Sequence, residues 1–317
     1  MNLGVLFLGT AAWAPSAERG APATMILRGG EHLLVDCGEG TQRQMMRSTA
    51  GLRRLTTILI THCHPDHVMG LPGLLATYSD MRHEAMTIAG PAGTSDLMAG
   101  FHRYHGDLAF PLQVLELDPG QALAREGYRI IAVATEHRVP SVGWLLVEDD
   151  RRGHLDAERA RATGVAEGPE LGRLARGEDV VLPSGHQVGA ATVVGPRERG
   201  RRILVTGDTR PCSAVEEASR GADLLVHEAT FLDRDADLAR ESGHTTAAGA
   251  AALAARANVA LLALIHASHR YGPEEVLREA RRHNPATVVP DDLDLVEIPL
   301  PEHGRPHVVA KAGRGGA

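Results

Sequence analysis

Aromatic side chains are scarce in this chain: Phe, Trp and Tyr make up 3% of its residues, and only two are tryptophans. A core must therefore be built mainly from Leu, Val, Ile and Ala, which the hydrophobic fraction of 43% supplies. The cysteines are also few, because Cys37, Cys63 and Cys212 are the only three. They are widely spaced and odd in number, so the sequence predicts no disulfide framework.

Long apolar runs are missing as well. None approaches the roughly 18 residues that a membrane span requires. The apolar stretch at 3–14 has no basic start and contains Gly4 and Gly9, so we interpret it as a first strand rather than a signal peptide. We expect a cytoplasmic protein with no membrane partner. The net charge of −7 disfavours a generally basic nucleic-acid binder but is compatible with a local basic patch.

The densest polar group follows a short apolar run and is Thr-His-Cys-His-Pro-Asp-His at 61–67. His62 and His64 are two residues apart, so beyond a strand end both side chains can point to the same side. Asp66 and His67 follow a proline turn, which can carry them to a second position. These are ligand types that zinc prefers. The alternative is a set of polar loop residues without a metal.

Later apolar runs show the same arrangement. The runs at 130–134, 203–206 and 261–265 are each followed, within three residues, by a side chain that can bind a metal: His137, Asp208 and His266, respectively. Taken singly, a His or Asp after a strand is more often a turn or cap residue. Together with the segment at 61–67, these residues indicate a metal centre at the edge of a sheet.

The His-x-His-x-Asp-His pattern after an apolar strand resembles the signature of the metallo-β-lactamase superfamily. This resemblance implies the α/β class, an αββα sandwich and a hydrolytic site with two divalent metal ions. The ligand sets that it implies are His62, His64 and His137 for one ion, Asp66, His67 and His266 for the other, and Asp208 as a bridge. Zinc suits the histidine-rich set, and manganese or iron could suit the oxygen-containing one.

Further segments are similar to the ribonuclease Z family, whose members remove 3′ trailers from precursor tRNA. They occur in the family's order along nearly the whole chain, at 8–10, 36–42, 70–73, 137–141, 207–211, 227–231 and 243–247. The His-Glu-Ala-Thr segment at 227–230 and the His-Thr-Thr segment at 244–246 are the most specific of these.

The family resemblance also implies catalytic roles. His244 would donate a proton to the leaving 3′-oxygen, and Glu228 would orient it. Asp66, besides being a ligand, is the expected proton acceptor for the attacking water. The alternatives are an ordinary salt bridge for Glu228 and a position next to a helix cap for His244.

We expect one domain over 1–317 with a protruding, arm-like insertion at about 148–194. The resemblance implies that this arm is an exosite that grips tRNA, with Gly168 and Pro169 as its motif. An RNA exosite should be basic. Between 148 and 179, however, the chain has six arginines and nine acidic residues, so an acidic solvated loop stays an alternative.

The loop at 15–20 resembles the family's loop that senses the 3′ end of tRNA. It has Ala17 and Gly20 where the family has Lys and Asn. Arg19 remains as a candidate contact to a substrate phosphate.

The sequence therefore predicts a metal-dependent endonuclease for precursor tRNA, and the resemblance implies a homodimer. The altered loop and the acidic arm favour an alternative, a hydrolase of a small phosphodiester, sulfate ester or lactone. A catalytically silent subunit or an RNA-binding module is a third interpretation. It is disfavoured because all seven ligand positions are filled.

Overall fold

The computed structural model describes residues 2–309 of the chain. The chain divides into two compact units, one formed by Met1–Leu146 with Arg201–Ala317 and the other by Val147–Gly200. The strands, in chain order, are β1 (Leu3–Gly9), β2 (Ala23–Arg28), β3 (Glu31–Val35), β4 (Leu55–Leu59), β5 (Met86–Gly90), β6 (Leu112–Glu116), β7 (Ala122–Arg125), β8 (Tyr128–Ala134), β9 (Val142–Glu148), β10 (Val180–Val181), β11 (Gln187–Val188), β12 (Arg202–Val205), β13 (Leu224–Glu228), β14 (Leu261–Ile265), β15 (Thr287–Val288), β16 (Leu295–Glu297) and β17 (His307–Val309).

The helices alternate with these strands. They are α1 (Thr41–Arg47), α2 (Pro65–Val68), α3 (Leu71–Ser79), α4 (Thr94–His105), α5 (Ala157–Ala162), α6 (Pro169–Ala175), α7 (Ala190–Val193), α8 (Ser213–Ser219), α9 (Ala236–Ser242), α10 (Ala247–Arg256) and α11 (Pro273–Arg281). None of the helices within residues 2–309 is long and apolar enough to cross a membrane.

Two large sheets form the centre of the first unit. One has eight strands in the order β17-β16-β1-β2-β3-β4-β5-β6, and the other has seven in the order β15-β14-β13-β12-β9-β8-β7. Buried side chains from both sheets, such as Phe7 and Trp144, belong to a single apolar cluster. The sheets therefore pack face to face, as alternating apolar residues on the facing strands require.

Helices cover the outer faces. Side chains of α1, α3 and α4 form a second apolar cluster with the eight-stranded sheet. On the other sheet, the alanine-rich α10 contacts β13 and β14. The order of layers is helix, sheet, sheet, helix, which confirms the αββα sandwich expected from the sequence.

The strand directions explain where the polar residues gather. Strands β3, β4 and β5 are parallel to one another, and so are β12, β13 and β14. Residues that follow these strands lie at the same edge of their sheet, the usual place for a site in parallel α/β structures.

The apolar runs at 130–134, 203–206 and 261–265 fall on β8, β12 and β14, as expected, and two other elements differ from expectation. Thr245 precedes the alanine-rich run at 246–257 and is the cap that the sequence favours for α10, but the side chain of Thr246 accepts the hydrogen bond from Gly249 N, at 3.0 Å. The short strand β7 was not predicted. Of its four residues only Leu123 is buried, so its apolar pattern is too weak to be read from the sequence.

The second unit has a small core of its own. Buried Ala160, Leu174 and Val180 belong to one apolar cluster within it. Asp156 caps α5 by accepting a hydrogen bond from Arg159 N at 2.9 Å, and Pro169 occupies the first turn of α6. The insertion expected at about 148–194 falls inside this unit. Its role as an arm or exosite stays a prediction.

Candidate metal centre

Three histidines and an aspartate converge at the carboxyl ends of the strands. His62 and His64 follow β4, His137 follows β8 and Asp208 follows β12. His64 Nδ1 lies 2.9 Å from His62 Nε2 and 3.3 Å from His137 Nε2. His62 Nε2 lies 3.7 Å from Asp208 Oδ2. One potential ligand atom from each of the four residues lies within 4.8 Å of all the others, which is close enough to surround one ion.

A second group lies beside the first. His67 Nε2 and His266 Nε2 lie 3.5 Å and 3.6 Å from Asp66 Oδ2. Asp208 faces this group too, since its two oxygens lie 3.6 Å from His67 Nε2 and 3.4 Å from His266 Nε2. The seven predicted ligand residues are therefore brought together in two adjacent clusters that share Asp208.

The residues present fit a pair of divalent ions. Three buried atoms, His67 Nε2, His266 Nε2 and Asp208 Oδ1, have no hydrogen-bond partner within the described part of the chain. Leaving such buried groups unpaired costs about 1–3 kcal/mol each. A cation between them would satisfy all three, and imidazole and carboxylate are suitable ligands for it.

Neighbouring groups fix the histidine tautomers. His67 Nδ1 donates to Asp36 Oδ2 at 2.7 Å, and His137 Nδ1 donates to the carbonyl oxygen of Gly243 at 2.9 Å. His266 Nδ1 lies 2.8 Å from Thr230 Oγ1. With Nδ1 occupied, each Nε2 atom presents a lone pair towards the centre, as histidine metal ligands usually do.

The electrostatics support cation binding in two ways. Burial lowers the pKa of His62, His64 and His137, so these rings are neutral and free to act as ligands near neutral pH. Burial would lower the pKa of His67 too, but Asp208 and Asp36 raise it well above its usual value. The carboxylates around His67 thus attract positive charge, which a metal ion can supply in place of a proton.

His244 and Glu228 form a pair at the same edge. His244 Nδ1 donates to Glu228 Oε1 at 2.9 Å. Burial disfavours the charged imidazole, but the Glu228 carboxylate outweighs it and raises the pKa of His244 to about 9. Glu228 is itself held in place, because it accepts hydrogen bonds from Thr209 N at 2.8 Å and from Thr230 Oγ1 at 2.6 Å. Because Nδ1 is used in this bond, Nε2 is the ring nitrogen of His244 that remains for a substrate.

Three weaker predicted contacts have different surroundings. Arg19 forms an ion pair with Asp291 at 2.8 Å and also donates to Thr10 Oγ1 and to the carbonyl oxygen of Pro290. This residue therefore tethers its loop to the chain near 290. Gly168 and Pro169 lie at the start of α6 in the second unit. Their role in substrate binding stays a prediction.

No sequence pattern assigned a role to Asp36 or to Thr230. Asp36 accepts hydrogen bonds from Thr61 N and Thr61 Oγ1, both at 2.8 Å, in addition to the one from His67. Like the ligands, it directly follows a strand, and this position is the signal that could have identified it. Thr230 lies between Glu228 and His266, and only the tertiary structure reveals this.

Comparison with known proteins defines the class. Residues 17–290 match the family model described as Metallo-beta-lactamase superfamily. The chain belongs to this superfamily, whose fold implies divalent metal ions. The clusters described above have ligand atoms close enough together to hold such ions.

Proteins similar in sequence and structure identify the family within this superfamily. The chain is 42% identical to "Ribonuclease Z" of Gemmatimonas aurantiaca, across 95% of this chain and 98% of the relative. It is 43% identical to "Ribonuclease Z" of Methanosarcina acetivorans, across 94% and 98%. The crystal structure of human tRNase Z, short form, is similar with a TM-score of 0.67 and 29% identity, over 93% of this chain and 99% of that one. Within the superfamily, the chain belongs to the ribonuclease Z family.

Proposed function

We propose that this protein is a metal-dependent endoribonuclease that removes 3′ trailers from precursor tRNA and leaves a 3′-hydroxyl. The observation that carries the proposal is the His244–Glu228 pair beside the two metal-ligand clusters. A metal centre alone fits many hydrolases. A protonated imidazole held by a buried carboxylate supplies the acid that an alkoxide leaving group needs.

We propose that His62, His64 and His137 hold one divalent ion, that Asp66, His67 and His266 hold the other, and that Asp208 bridges them. Zinc suits this ligand set, with manganese or iron as alternatives for the second position. When bound, the two ions would lower the pKa of a water molecule and neutralise charge on the phosphodiester.

The side chains perform the remaining steps. Asp66 accepts the proton of the attacking water, since its carboxylate borders the second cluster. His244 Nε2 gives its proton to the departing 3′-oxygen. Glu228 keeps that imidazole charged and oriented, and Thr209 and Thr230 hold Glu228. Asp36 orients His67 from the side opposite the ligands.

The substrate assignment is supported by the full-length similarity to proteins named Ribonuclease Z and to the human tRNase Z structure. We further infer, from the family resemblance, that the protein acts as a homodimer in which the segment at 148–194 contacts tRNA. Light scattering on the purified protein tests the dimer.

Hydrolysis of a small phosphodiester or another small ester is a second candidate. Two observations favour it: Ala17 and Gly20 replace the Lys and Asn of the family's loop, and the segment at 148–179 has an excess of acidic residues.

A paired assay distinguishes these candidates. One metal-loaded preparation is given a precursor tRNA with a 3′ trailer and, separately, bis(p-nitrophenyl) phosphate, with Asp66→Ala as the blank. We expect cleavage at the junction between tRNA and trailer, and no activity in the blank. Turnover of the small diester with the tRNA left intact would instead support the second candidate. An active Asp66→Ala variant would refute the mechanism.

A further inference from the structure

Trp13 is exposed to an unusual degree for a tryptophan. It exposes 77% of its surface, whereas Trp144, the other tryptophan of the chain, is fully buried. An indole in water forgoes the stabilisation that burial of its large apolar surface would give. Packing within this unit therefore does not account for a tryptophan at position 13.

The backbone at Trp13 points to the same conclusion. Its φ is +63°, in the left-handed region that a bulky side chain rarely adopts. The turn is closed by a hydrogen bond from Ala14 N to the carbonyl oxygen of Ala12 at 2.8 Å. Glycine would adopt this conformation without strain. The fold thus tolerates Trp13 at a cost and gains little from its side chain.

Hydrogen bonds place the Trp13 loop beside the metal centre. The carbonyl oxygen of Thr10 accepts from His266 N at 2.9 Å, and Ala11 forms a parallel bridge with Ala267. Ala267 directly follows His266, a metal-ligand candidate, and Trp13 is two residues beyond Ala11. An exposed aromatic ring so close to the centre is within reach of a substrate bound there.

A second aromatic residue lies on the other side of His266. Ser268 N donates to the carbonyl oxygen of Thr230 at 3.3 Å, so the loop after His266 also runs beside the start of the Phe231 segment. The partly exposed Phe231 ring lies 6.1 Å from the His244 ring, centroid to centroid. The chain has few aromatic residues, yet Trp13 and Phe231 lie on segments that flank the loop after His266.

We propose that Trp13 is a nucleobase-binding site, at which the exposed indole stacks on an unpaired base next to the scissile phosphodiester. This inference rests on the proposed function and adds a positioning residue to it. Single-stranded RNA ends are commonly held by stacking on aromatic side chains, and such stacking tolerates any base. Trp13 would therefore hold the RNA strand in place without selecting a sequence.

Cleavage kinetics on a precursor tRNA test the proposal. Trp13→Ala should raise KM by about 5- to 150-fold, the range expected for the loss of one stacked base, and change kcat little. Trp13→Phe should restore most of the affinity. Tyr104→Ala is the matched control, because Tyr104 is 76% exposed but lies on α4, which has no metal-ligand candidate. An unchanged KM in Trp13→Ala would overturn the proposal.

Abasic substrates identify the base. Each nucleotide near the cleavage junction is replaced in turn by an abasic one. One replacement should raise KM for the wild type and have no further effect in Trp13→Ala, because both changes remove the same stack. If the two effects simply add at every position, Trp13 does not stack on a base there.

Fluorescence provides a test that does not depend on cleavage. In the Asp66→Ala protein, a short single-stranded RNA should quench the emission of the exposed Trp13. Adding Trp13→Phe leaves only the buried Trp144, and the quenching should disappear. The alternative is that Trp13 contacts another protein chain. The proposal is wrong if Trp13→Ala converts a dimer to monomers in light scattering and if RNA quenches the fluorescence of neither the Asp66→Ala protein nor the Asp66→Ala protein that also carries Trp13→Phe. A wild type that binds RNA through Trp13 but cleaves no precursor tRNA would refute the proposed function and leave this site standing.

Discussion

At the scale of single residues, His244 has two possible roles. Its Nδ1 donates to Glu228, as a proton donor requires, but the residue also forms a potential ligand group with Asp208 and His266. The hydrogen bond to Glu228 uses one ring nitrogen and raises the pKa to about 9, which favours a protonated imidazole over a metal ligand.

We therefore expect His244→Ala to lower kcat by about 10²- to 10⁴-fold, the usual contribution of a general acid. Metal content should remain at the wild-type level, as measured by elemental analysis after dialysis. Loss of an equivalent of metal along with activity would make His244 a ligand instead.

His32 is a residue whose protonation affects stability rather than catalysis. It is 4% exposed, and its Nδ1 has no hydrogen-bond partner within residues 2–309. Burial and the nearby Arg54 lower the pKa of His32 to about 4. The folded state therefore holds this imidazole neutral, while an unfolded chain would bind a proton at about pH 6.5.

The sign of the effect follows from that difference. Stability is fully present above pH 6.5 and is lost as the pH falls towards 4, because the unfolded state binds the proton first. Relative to His32→Leu, the wild type should lose about 2–3 kcal/mol of unfolding free energy between pH 7.5 and 4.5. Urea unfolding of both proteins at the two pH values measures this. A constant difference between them would show that His32 titrates normally in the folded protein.

At the scale of elements, the ends of parallel strands position the ligands. Close packing between the segments that follow these strands then fixes where each ligand lies. Gly207 follows β12 and precedes Asp208. Its φ is +64°, and a Cβ atom there would lie 2.5 Å from Thr61 Cβ. Thr61 in turn donates to Asp36, which orients His67. A methyl group at 207 would therefore disturb both ligand clusters at once.

We expect Gly207→Ala to weaken metal binding by about 10- to 100-fold and to lower the Tm. This loss of affinity is typical when residues that hydrogen-bond to metal ligands are disturbed. Gly30→Ala is the control, because a Cβ atom at Gly30 would meet nothing within 4 Å. Metal titration followed by calorimetry on both variants would decide. Equal affinities for the metal would mean that β12 can shift without moving Asp208.

At the scale of the whole molecule, the question is whether the Val147–Gly200 unit is needed for the chemistry or for the substrate. The seven metal ligands predicted from the sequence and the His244–Glu228 pair all belong to the other unit. The chain enters and leaves the second unit at neighbouring points, since a Cβ atom on Gly200 would lie 1.9 Å from the carbonyl oxygen of Glu148. This closeness makes a clean excision feasible.

We expect that replacing residues 150–199 with a short Gly-Ser linker will leave hydrolysis of bis(p-nitrophenyl) phosphate within about threefold of the wild type. Cleavage of precursor tRNA should fall by at least about tenfold, because an exosite contributes binding energy that a small diester does not use. If both activities survive equally, the unit is not an exosite. If both are lost, circular dichroism will show whether the remaining unit still folds.

The sequence by itself indicated many of the strands and a metal centre at the edge of a sheet, and its resemblance to known families implied the αββα class and the two sets of metal-ligand candidates. It could do so because ligands placed directly after apolar strands must meet where parallel strands end, and because the His-x-His-x-Asp-His run is local. It did not predict that Thr246 rather than Thr245 caps α10, since the two neighbours are chemically equivalent as caps.

Only the tertiary structure decided which residues support the metal ligands and which contacts hold the loops. Asp36 beside His67, Thr230 between Glu228 and His266, and Arg19 paired with Asp291 join residues that are far apart in the chain. Such contacts depend on how strands from two sheets are brought to one edge, and no local pattern encodes them. The exposure of Trp13 beside that edge is decided in the same way, because no local pattern distinguishes this exposed tryptophan from the buried Trp144.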